Sequence, residues 1–404
     1  MLSINKWITT FCGLVNMAGI CGWLLIARPI IYLVFSRRRD LNAYATVDAS
    51  AFVFIIYAIL CFVFSLRQLN SRDADFGRSL IYRSPLFWFV IYTALGGVSI
   101  LWSVNVQLTG FRAFECFSML TLIVAIIQKL FEQEDFDIII RWTLLYVTID
   151  VVFSLIRALS YTTDISMLLQ TSQMMSTVFF FVALYDMRKR WYHYLIMAMA
   201  IFSMSTTAYI GMSLGGISLF WGKAKYRIHV LIGAVILACI ITIVGPYKFI
   251  KDTVFFEKQT ISLHETSGRD KIMKVAVDAL SQKPEGYGFF AGEPYLLYAK
   301  RLGAINGHNS LFSAAIGLGI PGVVLISLFF LGMYRIVFSR YIHTEYKAML
   351  IGCFMVAFLH CMGNPGLGSR VFGSWLPVMF LCALVCGFYV HGKYYSQDSD
   401  IMNR

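Results

Sequence analysis

Long apolar segments separated by short polar connections make up most of this sequence. A helix needs about 20 predominantly apolar residues to cross a lipid bilayer, and most of these segments come close to that length. They cover approximately residues 7–35, 49–66, 85–102, 111–131, 138–160, 167–185, 228–246, 309–334, 347–362 and 372–391. The pattern therefore predicts an all-α fold, a bundle of membrane-spanning helices.

The apolar stretch between Arg190 and Lys223 has basic residues on both sides. A single span there would place one basic group outside the cytoplasm, whereas Lys and Arg concentrate in cytoplasmic loops. Two short helices of about sixteen residues each avoid this conflict. Their connection then falls near Ser205-Thr206-Thr207 on the outer side. Counted this way, residues 1–404 form a single integral membrane domain with about twelve transmembrane helices.

The distribution of Arg and Lys also predicts the orientation of the bundle. The Arg-rich segment 67–83 and the basic segment 335–347 are both predicted to be cytoplasmic. Both termini are then inside, and the long polar segment 247–307 forms an external loop. Under this count the three arginines at 37–39 fall on the outer side. Either the first apolar run holds two short helices broken near Arg28-Pro29, or these arginines are an exception.

The external loop is predicted to contain one amphipathic helix. Ser267 is a suitable N-cap, and Asp270 three residues later is a weak capping-box partner. Apolar residues then recur at helical spacing, at Ile272, Val275, Ala276, Ala279 and Leu280. Pro284 ends the helix, and Gly286-Tyr287-Gly288 predicts a tight turn. We expect this helix to lie along the membrane surface or against the bundle.

Composition agrees with the membrane prediction and excludes several other classes. Hydrophobic residues make up 58% of the 404 residues and charged residues only 14%, and the mean hydropathy is +0.70. The net charge of +12 fits basic cytoplasmic loops better than a nucleic-acid-binding face, because no basic cluster lies on a soluble domain. The nine cysteines lie in or beside apolar segments, so neither disulfides nor a metal site is expected. No nucleotide-binding or nucleophile-elbow motif is present.

Two polar positions on the predicted outer side can carry chemistry. His308-Asn309 can simply mark where a helix enters the bilayer, or the imidazole can orient or deprotonate a hydroxyl group. Arg269 opens the helix of the loop. It is either a solvated side chain or a bidentate phosphate ligand, helped by the backbone N–H groups of the helix start.

Other arginines lie near the ends of predicted spans. Arg112 and Arg370 are at outer ends, where each can be a snorkelling anchor or a ligand. Arg141 and Arg157 lie near span ends and are candidates for buried partners of Asp150, a pairing that would make them structural.

Short motifs stand in order within residues 85–325. They are Trp102-Ser103, Phe111-Arg112-Ala113, Ser267-Gly268-Arg269-Asp270, Lys283-Pro284-Glu285-Gly286-Tyr287-Gly288, and His308-Asn309 followed after nine residues by Gly319-Ile320-Pro321-Gly322. This arrangement resembles the family of bacterial O-antigen ligases and their polymerase relatives.

The resemblance implies transfer of a glycan from an undecaprenyl-diphosphate carrier at the outer face of the bacterial inner membrane, during surface polysaccharide assembly. It implies an inverting, metal-independent glycosyl transfer without a cofactor. By position, Arg269 would bind the diphosphate leaving group and His308 would orient or activate the acceptor hydroxyl. Asn309 and Tyr287 are implied as further substrate-binding residues. A fixed guanidinium would stabilise the charge that develops on the diphosphate.

One motif departs from the family. Members of the family usually carry an arginine in a Ser/Thr-Arg motif at the apex of the short hairpin. At this position the sequence has Ser205-Thr206-Thr207-Ala208. The second diphosphate contact is therefore missing or comes from elsewhere, with Arg112 and Arg370 as the candidates.

Four functions stay open on the sequence alone, one of which is a structural or assembly membrane protein that needs neither Arg269 nor His308. A ligase would place the glycan on lipid A–core, and a polymerase would place it on another repeat unit, with a chain-length regulator as an additional partner that the resemblance allows. A transporter of lipid-linked sugars or polysaccharide is the third. Transporters tend to show repeated halves and charged, broken helices at the bilayer midplane, and this sequence shows no repeated half.

Overall fold

The computed structural model describes residues 11–35, 49–70, 74–159, 175–186, 190–201, 206–221, 269–299, 309–363, 367 and 372–395, and these residues form helices and the turns between them. The helices are α1 (Gly19–Phe35), α2 (Ala49–Leu69), α3 (Ala74–Tyr82), α4 (Leu86–Val98), α5 (Val106–Phe131), α6 (Phe136–Leu159), α7 (Phe180–Tyr185), α8 (Trp191–Ile201), α9 (Thr206–Trp221), α10 (Arg269–Gln282), α11 (Gly292–Ala299), α12 (Ser310–Val337), α13 (Thr344–Gly363) and α14 (Phe372–Val390). The predicted all-α class is confirmed for these ranges.

Six helices are long and apolar enough to cross a membrane, namely α2, α5, α6, α12, α13 and α14. Helices α3 and α4 meet at a 79° bend and add a seventh candidate if they are counted as one span. The predicted run at 228–246 and the loop residues 247–268 and 300–307 lie outside the described residues. The total of about twelve spans and the external position of the loop therefore stay predictions.

The core of the bundle lies around α5 and α14, which are in contact with each other and with α4. Phe380 of α14 stacks on Trp142 of α6, with ring centroids 5.8 Å apart. Phe131 at the end of α5 meets Phe388 edge-to-face at 5.2 Å. In a lipid bilayer the hydrophobic effect does not drive helices to associate, so packing has to hold them together. Aromatic pairs of this geometry add to that packing.

The first apolar run is broken at Gly19 and not near Arg28-Pro29, so that alternative is wrong. Gly19 has φ +64°, a value that glycine adopts freely. Helix α1 then continues through Pro29, because Arg28 and Pro29 are buried in the bundle and packing compensates for the one lost hydrogen bond. Residues 37–39 lie outside the described part of the chain.

The short hairpin predicted between Arg190 and Lys223 forms two helices, α8 and α9. Helix α9 packs closely on α13, and a Cβ atom at Gly211 would lie 2.8 Å from the Cα atom of Val356. Small residues permit this close approach of two apolar helices. Ser205 lies outside the described residues, and α9 begins at Thr206.

The amphipathic helix of the loop is confirmed as α10. Its predicted apolar face is buried, with Ile272, Val275, Ala276 and Ala279 each no more than 8% exposed. The helix ends at Gln282, two residues before Pro284, and it packs against α12. Of the two predicted positions for this helix, the structure therefore supports packing against the bundle.

Candidate functional site

Helix α12 contains a sharp break at Gly319, where φ is +65° and ψ is −151°. Pro321 follows two residues later and has no N–H group to donate. In an unbroken helix the carbonyl oxygens of Ile316 and Gly317 would accept from residues 320 and 321. The break leaves both carbonyls without their helical donors, and a buried carbonyl needs another partner.

The segment after α10 supplies those partners. The N–H groups of Tyr287 and Gly288 donate to the carbonyls of Ile316 and Gly317, at 3.0 and 2.9 Å. In return, the N–H of Ile320 donates to the carbonyl of Pro284 at 2.8 Å. The predicted turn at Gly286-Tyr287-Gly288 is confirmed, and both glycines have positive φ. The hydrogen bonds of the 286–288 segment thus take the place of those that α12 lacks at its break.

A third segment, between α4 and α5, binds the other side of the same turn. The indole N–H of Trp102 donates to the carbonyl of Glu285 at 3.0 Å, and Lys283 Nζ donates to the carbonyl of Trp102 at 2.9 Å. The N–H of Val104 donates to the carbonyl of Tyr287 at 3.0 Å. We call residues 99–105, 283–292 and 316–320 the three-segment junction.

Phe289 anchors the junction in the core. Its side chain is 1% exposed and meets the ring of Tyr92 edge-to-face at 5.6 Å. Its N–H donates to Ser99 Oγ at 3.1 Å, and its carbonyl accepts from Thr109 Oγ1 at 3.1 Å. With both backbone groups satisfied, irregular backbone is tolerated inside a helical membrane protein.

Helix α10 and the first half of α12 run side by side in the same direction. Early residues of α10, Ile272 and Val275, cluster with Phe312, whereas the later Ala276 and Ala279 cluster with Ala315 and Ile316. The order of contacts continues at the junction, where Pro284 bonds Ile320. The N-terminal ends of the two helices, which follow Gly268 and His308 in the chain, therefore lie at the same end of the pair.

Asn309 is the N-cap of α12. Its Oδ1 accepts from the N–H groups of Leu311 and Phe312, at 2.8 and 3.4 Å. Its Nδ2 donates to the carbonyl of Met362 at 2.8 Å, which ties the start of α12 to the end of α13. These contacts hold the backbone next to His308 in place.

Arg112 of α5 pairs with Glu115 on the same helix, and Glu115 in turn contacts α1. The junction contacts α5 at a different residue, Thr109. Arg112 Nη1 lies 2.5 Å from Oε2 of Glu115, which is 4% exposed. The other carboxylate oxygen accepts from the hydroxyl of Tyr32 at 3.0 Å. The Nε atom of Arg112 is buried and makes no hydrogen bond to the described residues.

The expected pairing of Arg141 with Asp150 is wrong. Arg141 is 43% exposed and lies 4.0 Å from Asp137, one helical turn away. Among the described residues, the basic group that interacts with Asp150 is Arg28 of α1. Arg141 lies on α6, the same helix as Asp150, whereas Arg28 lies on the neighbouring α1, and the sequence does not tell which helix faces the aspartate. The side chain of Arg157 lies outside the described residues.

Two further candidate residues, His308 and Arg370, and the side chain of Arg269 lie outside the described residues, so their contacts stay predictions. Tyr287 is part of the junction, and its ring stacks on Tyr295 with centroids 6.4 Å apart. Lys283 Nζ lies 5.3 Å from the centroid of the same ring.

Sequence reasoning missed Glu293, which lies beside the first half of α12. Its carboxylate is 1% exposed and accepts a short hydrogen bond from the hydroxyl of Ser313. A single Glu in the first turn of a short helix gives no signal in the sequence. Sequence reasoning also missed Glu115, although its place three residues after Arg112 on a helix is a spacing typical of an ion pair. Among the described residues, no group of three or more His, Cys, Asp and Glu side chains could hold a metal ion.

The comparison with known families identifies this part of the chain. Residues 191–327, about a third of the sequence, match the family model described as O-antigen ligase. Over this segment the chain is similar to the O-antigen ligase family. Members of the family are enzymes that transfer glycans as ligases or polymerases. No curated protein matches the chain.

The matched segment 191–327 includes the parts of the site that follow α7 in the chain. It begins with the α8–α9 hairpin, continues through Arg269, α10 and α11, and ends in the second half of α12. The segment 99–105, which completes the three-segment junction, precedes it. The junction therefore connects the matched segment to the first half of the chain.

Proposed function

We propose that this protein transfers a glycan from an undecaprenyl-diphosphate carrier to an acceptor hydroxyl, with Arg269 and His308 as the central residues. The acceptor is lipid A–core for a ligase or another repeat unit for a polymerase. The observation that carries the proposal is the parallel packing of α10 and α12. It supports a shared location for the two helix starts, of which Arg269 opens one and His308 precedes the other by two residues.

Two adjacent helix starts favour an anion. Each carries the positive end of a helix dipole, equivalent to roughly half an elementary charge. A guanidinium at the first helical position adds a full charge and a bidentate donor pair. Together they suit a lipid-linked diphosphate that gains negative charge as it leaves.

The reaction needs one bond exchange and one proton transfer. The bond between the anomeric carbon and the diphosphate oxygen breaks, and the acceptor oxygen attacks the same carbon from the opposite face, which inverts its configuration. His308 takes the proton of the acceptor hydroxyl as a general base. Arg269 stabilises the undecaprenyl diphosphate that leaves.

Further substrate contacts are proposed around this pair. Arg370 is the favoured candidate for the second diphosphate contact, because it falls in the connection between α13 and α14. That connection begins at the end of α13, which Asn309 binds through Met362. Arg112 is the less favoured candidate, since its charge is balanced by Glu115. Tyr287 and Asn309 are proposed to border the substrate.

Cells that lack the chromosomal copy test the proposal. Arg269→Ala and His308→Ala should each abolish the surface glycan while the protein stays in the membrane at its normal amount. Lys271→Ala is the matched control, because Lys271 is an exposed cation in the first turn of the same helix, and it should leave the glycan unchanged. Normal glycan with both alanine variants would contradict the proposal.

The products that accumulate separate the two acceptors. Loss of a ligase should leave long glycan chains on the lipid carrier, whereas loss of a polymerase should leave single repeats on the acceptor. A transporter gives a third result, because its loss leaves the lipid-linked sugar on the cytoplasmic side. That result would contradict the proposed enzyme.

A further inference from the structure

Three basic side chains converge on tyrosine rings at one end of the bundle. The guanidinium carbon of Arg83 lies 4.6 Å from the ring centroid of Tyr394, and Lys393 Nζ lies 4.9 Å from the same centroid. Arg340 and Lys393 share a second ring, that of Tyr341, at 5.3 and 5.5 Å. With Tyr389, whose hydroxyl accepts from Lys393 at 3.1 Å, these residues form what we call the basic–aromatic cluster.

The cluster lies at the end of the helices opposite to the three-segment junction. Arg83 precedes α4, Arg340 follows α12, and Lys393 follows α14. Each residue therefore comes from a different connection along the chain. Two candidate membrane spans end here and a third begins at Thr344. Tyrosine is enriched at this level of membrane proteins, where phospholipid headgroups meet water.

Packing fixes the arrangement of the cluster. Residues His391–Tyr395 form a π-helical turn at the end of α14, a rare conformation that is frequent at functional sites. A Cβ atom at Gly392 would overlap the carbonyl oxygen of Tyr341, so only glycine permits this contact. The neighbouring Lys393 is thereby held against the Tyr341 ring.

Among the described residues, no acidic group forms an ion pair with the cluster. Within the part of the chain that the structure describes, the ion pairs join Arg112 to Glu115, Lys129 to Glu132, Arg141 to Asp137 and His193 to Asp186. None of them includes Arg83, Arg340 or Lys393. The field of the cluster is positive, and the hydrogen bond from Arg340 lowers the pKa of Tyr341 below its ordinary value, with a smaller contribution from Lys393. Three like charges repel one another, and an anion between them would remove that cost.

We propose that the basic–aromatic cluster binds the phosphate group of an anionic phospholipid. Arg83 and Arg340 can each donate two hydrogen bonds to phosphate oxygens, and Lys393 adds a point charge between them. Basic pockets between transmembrane helices are suited to anionic headgroups. The lipid would connect the ends of α12 and α14 with the starts of α4 and α13. This site is independent of the glycan-transfer site.

The test uses the purified full chain and native mass spectrometry, with phosphatidylglycerol and phosphatidylcholine as probes. The variant Arg83→Gln/Arg340→Gln/Lys393→Gln removes the three charges of the cluster. The matched control, Arg67→Gln/Arg78→Gln/Arg335→Gln, removes three exposed charges from the same end of the bundle that make no tyrosine contact among the described residues. The three single variants of the cluster and Arg83→Lys complete the set.

Wild type and the control should bind phosphatidylglycerol in preference to phosphatidylcholine. Each single Gln variant should weaken phosphatidylglycerol binding about fivefold. Arg83→Lys keeps the charge but loses the bidentate donor pair, so it should weaken binding less than Arg83→Gln. The single variants decide the question even if the triple variant does not fold. Equal binding by the cluster variants and the control would overturn the proposal. Saturation by inorganic phosphate without any preference for phosphatidylglycerol would overturn it too, because the ligand would then be a soluble anion.

Discussion

Arg112 and Glu115 form an ion pair inside the bundle, and the two side chains differ in their exposure to solvent. Glu115 is 4% exposed and also accepts from Tyr32, whereas the side chain of Arg112 is 22% exposed. A buried carboxylate that loses its partner stays desolvated without compensation, and breaking such a pair costs about 3–5 kcal/mol. Removing both charges together is often nearly neutral.

Arg112→Met should therefore lower the free energy of unfolding by about 3 kcal/mol, and Arg112→Met/Glu115→Gln should recover most of the loss. The amide that replaces the carboxylate in the double variant keeps an acceptor for the Tyr32 hydroxyl. Denaturant unfolding in detergent measures both values. We expect the double variant to keep glycan transfer as well, since Arg370 is our favoured diphosphate contact. A folded but inactive double variant would instead make Arg112 a substrate ligand.

At the scale of single elements, the break in α12 and the turn after α10 depend on each other. A Cβ atom at Gly319 would overlap the carbonyl oxygen of Pro284, and φ of +65° is unfavourable for any other residue. If α12 became regular at this position, the carbonyl of Ile316 would accept from the N–H of Ile320 and would no longer be available to the turn. The turn would then lose the hydrogen bond from Tyr287 that holds it against α12.

Gly319→Ala should consequently destabilise the protein by at least about 2 kcal/mol, from left-handed strain and from the displaced turn. It should also reduce glycan transfer, since the turn fixes the end of α10. Gly97→Ala is the control, because a Cβ atom at Gly97 meets no atom within 4 Å. That variant should be neutral or slightly stabilising by about 0.5 kcal/mol. Thermal unfolding and transfer assays on both variants check this, and equal behaviour of the two would contradict the role of the break.

The elements themselves were largely predictable from the sequence, because each depends on local spacing. The apolar face of α10 and the glycines of the following turn have short-range patterns, and both predictions are confirmed. The break of the first run was misplaced, since Pro29 is a strong helix breaker in isolation and Gly19 is a weak signal. In the structure, burial of α1 outweighs the missing N–H of Pro29.

At the scale of the whole molecule, the site depends on contacts that no local pattern contains. The bond from Trp102 to Glu285 joins residues 183 positions apart, and the bond from Phe289 to Ser99 joins residues 190 apart. The order of the motifs allowed their resemblance to a family to be recognised. It did not predict that they meet, because backbone groups make the contact: the N–H of Ile320 donates to the carbonyl of Pro284. The partner of Asp150 was missed for the same reason, since Arg28 is distant in sequence.

The central claim is that Arg269 and His308 act together at one site. When two residues stabilise the same transition state, their substitutions lower the enzyme's activity in a strongly non-additive way. If the two residues instead act separately, their losses multiply.

A double-mutant cycle on transfer from a purified undecaprenyl-diphosphate donor is the most direct measurement. Arg269→Ala and His308→Ala should each lower kcat/KM about a hundredfold or more, and the double variant should be little worse than the more damaging single variant. Lys271→Ala should stay at the wild-type rate. Losses that multiply fully in the double variant, or single variants that keep the wild-type rate, would contradict the account.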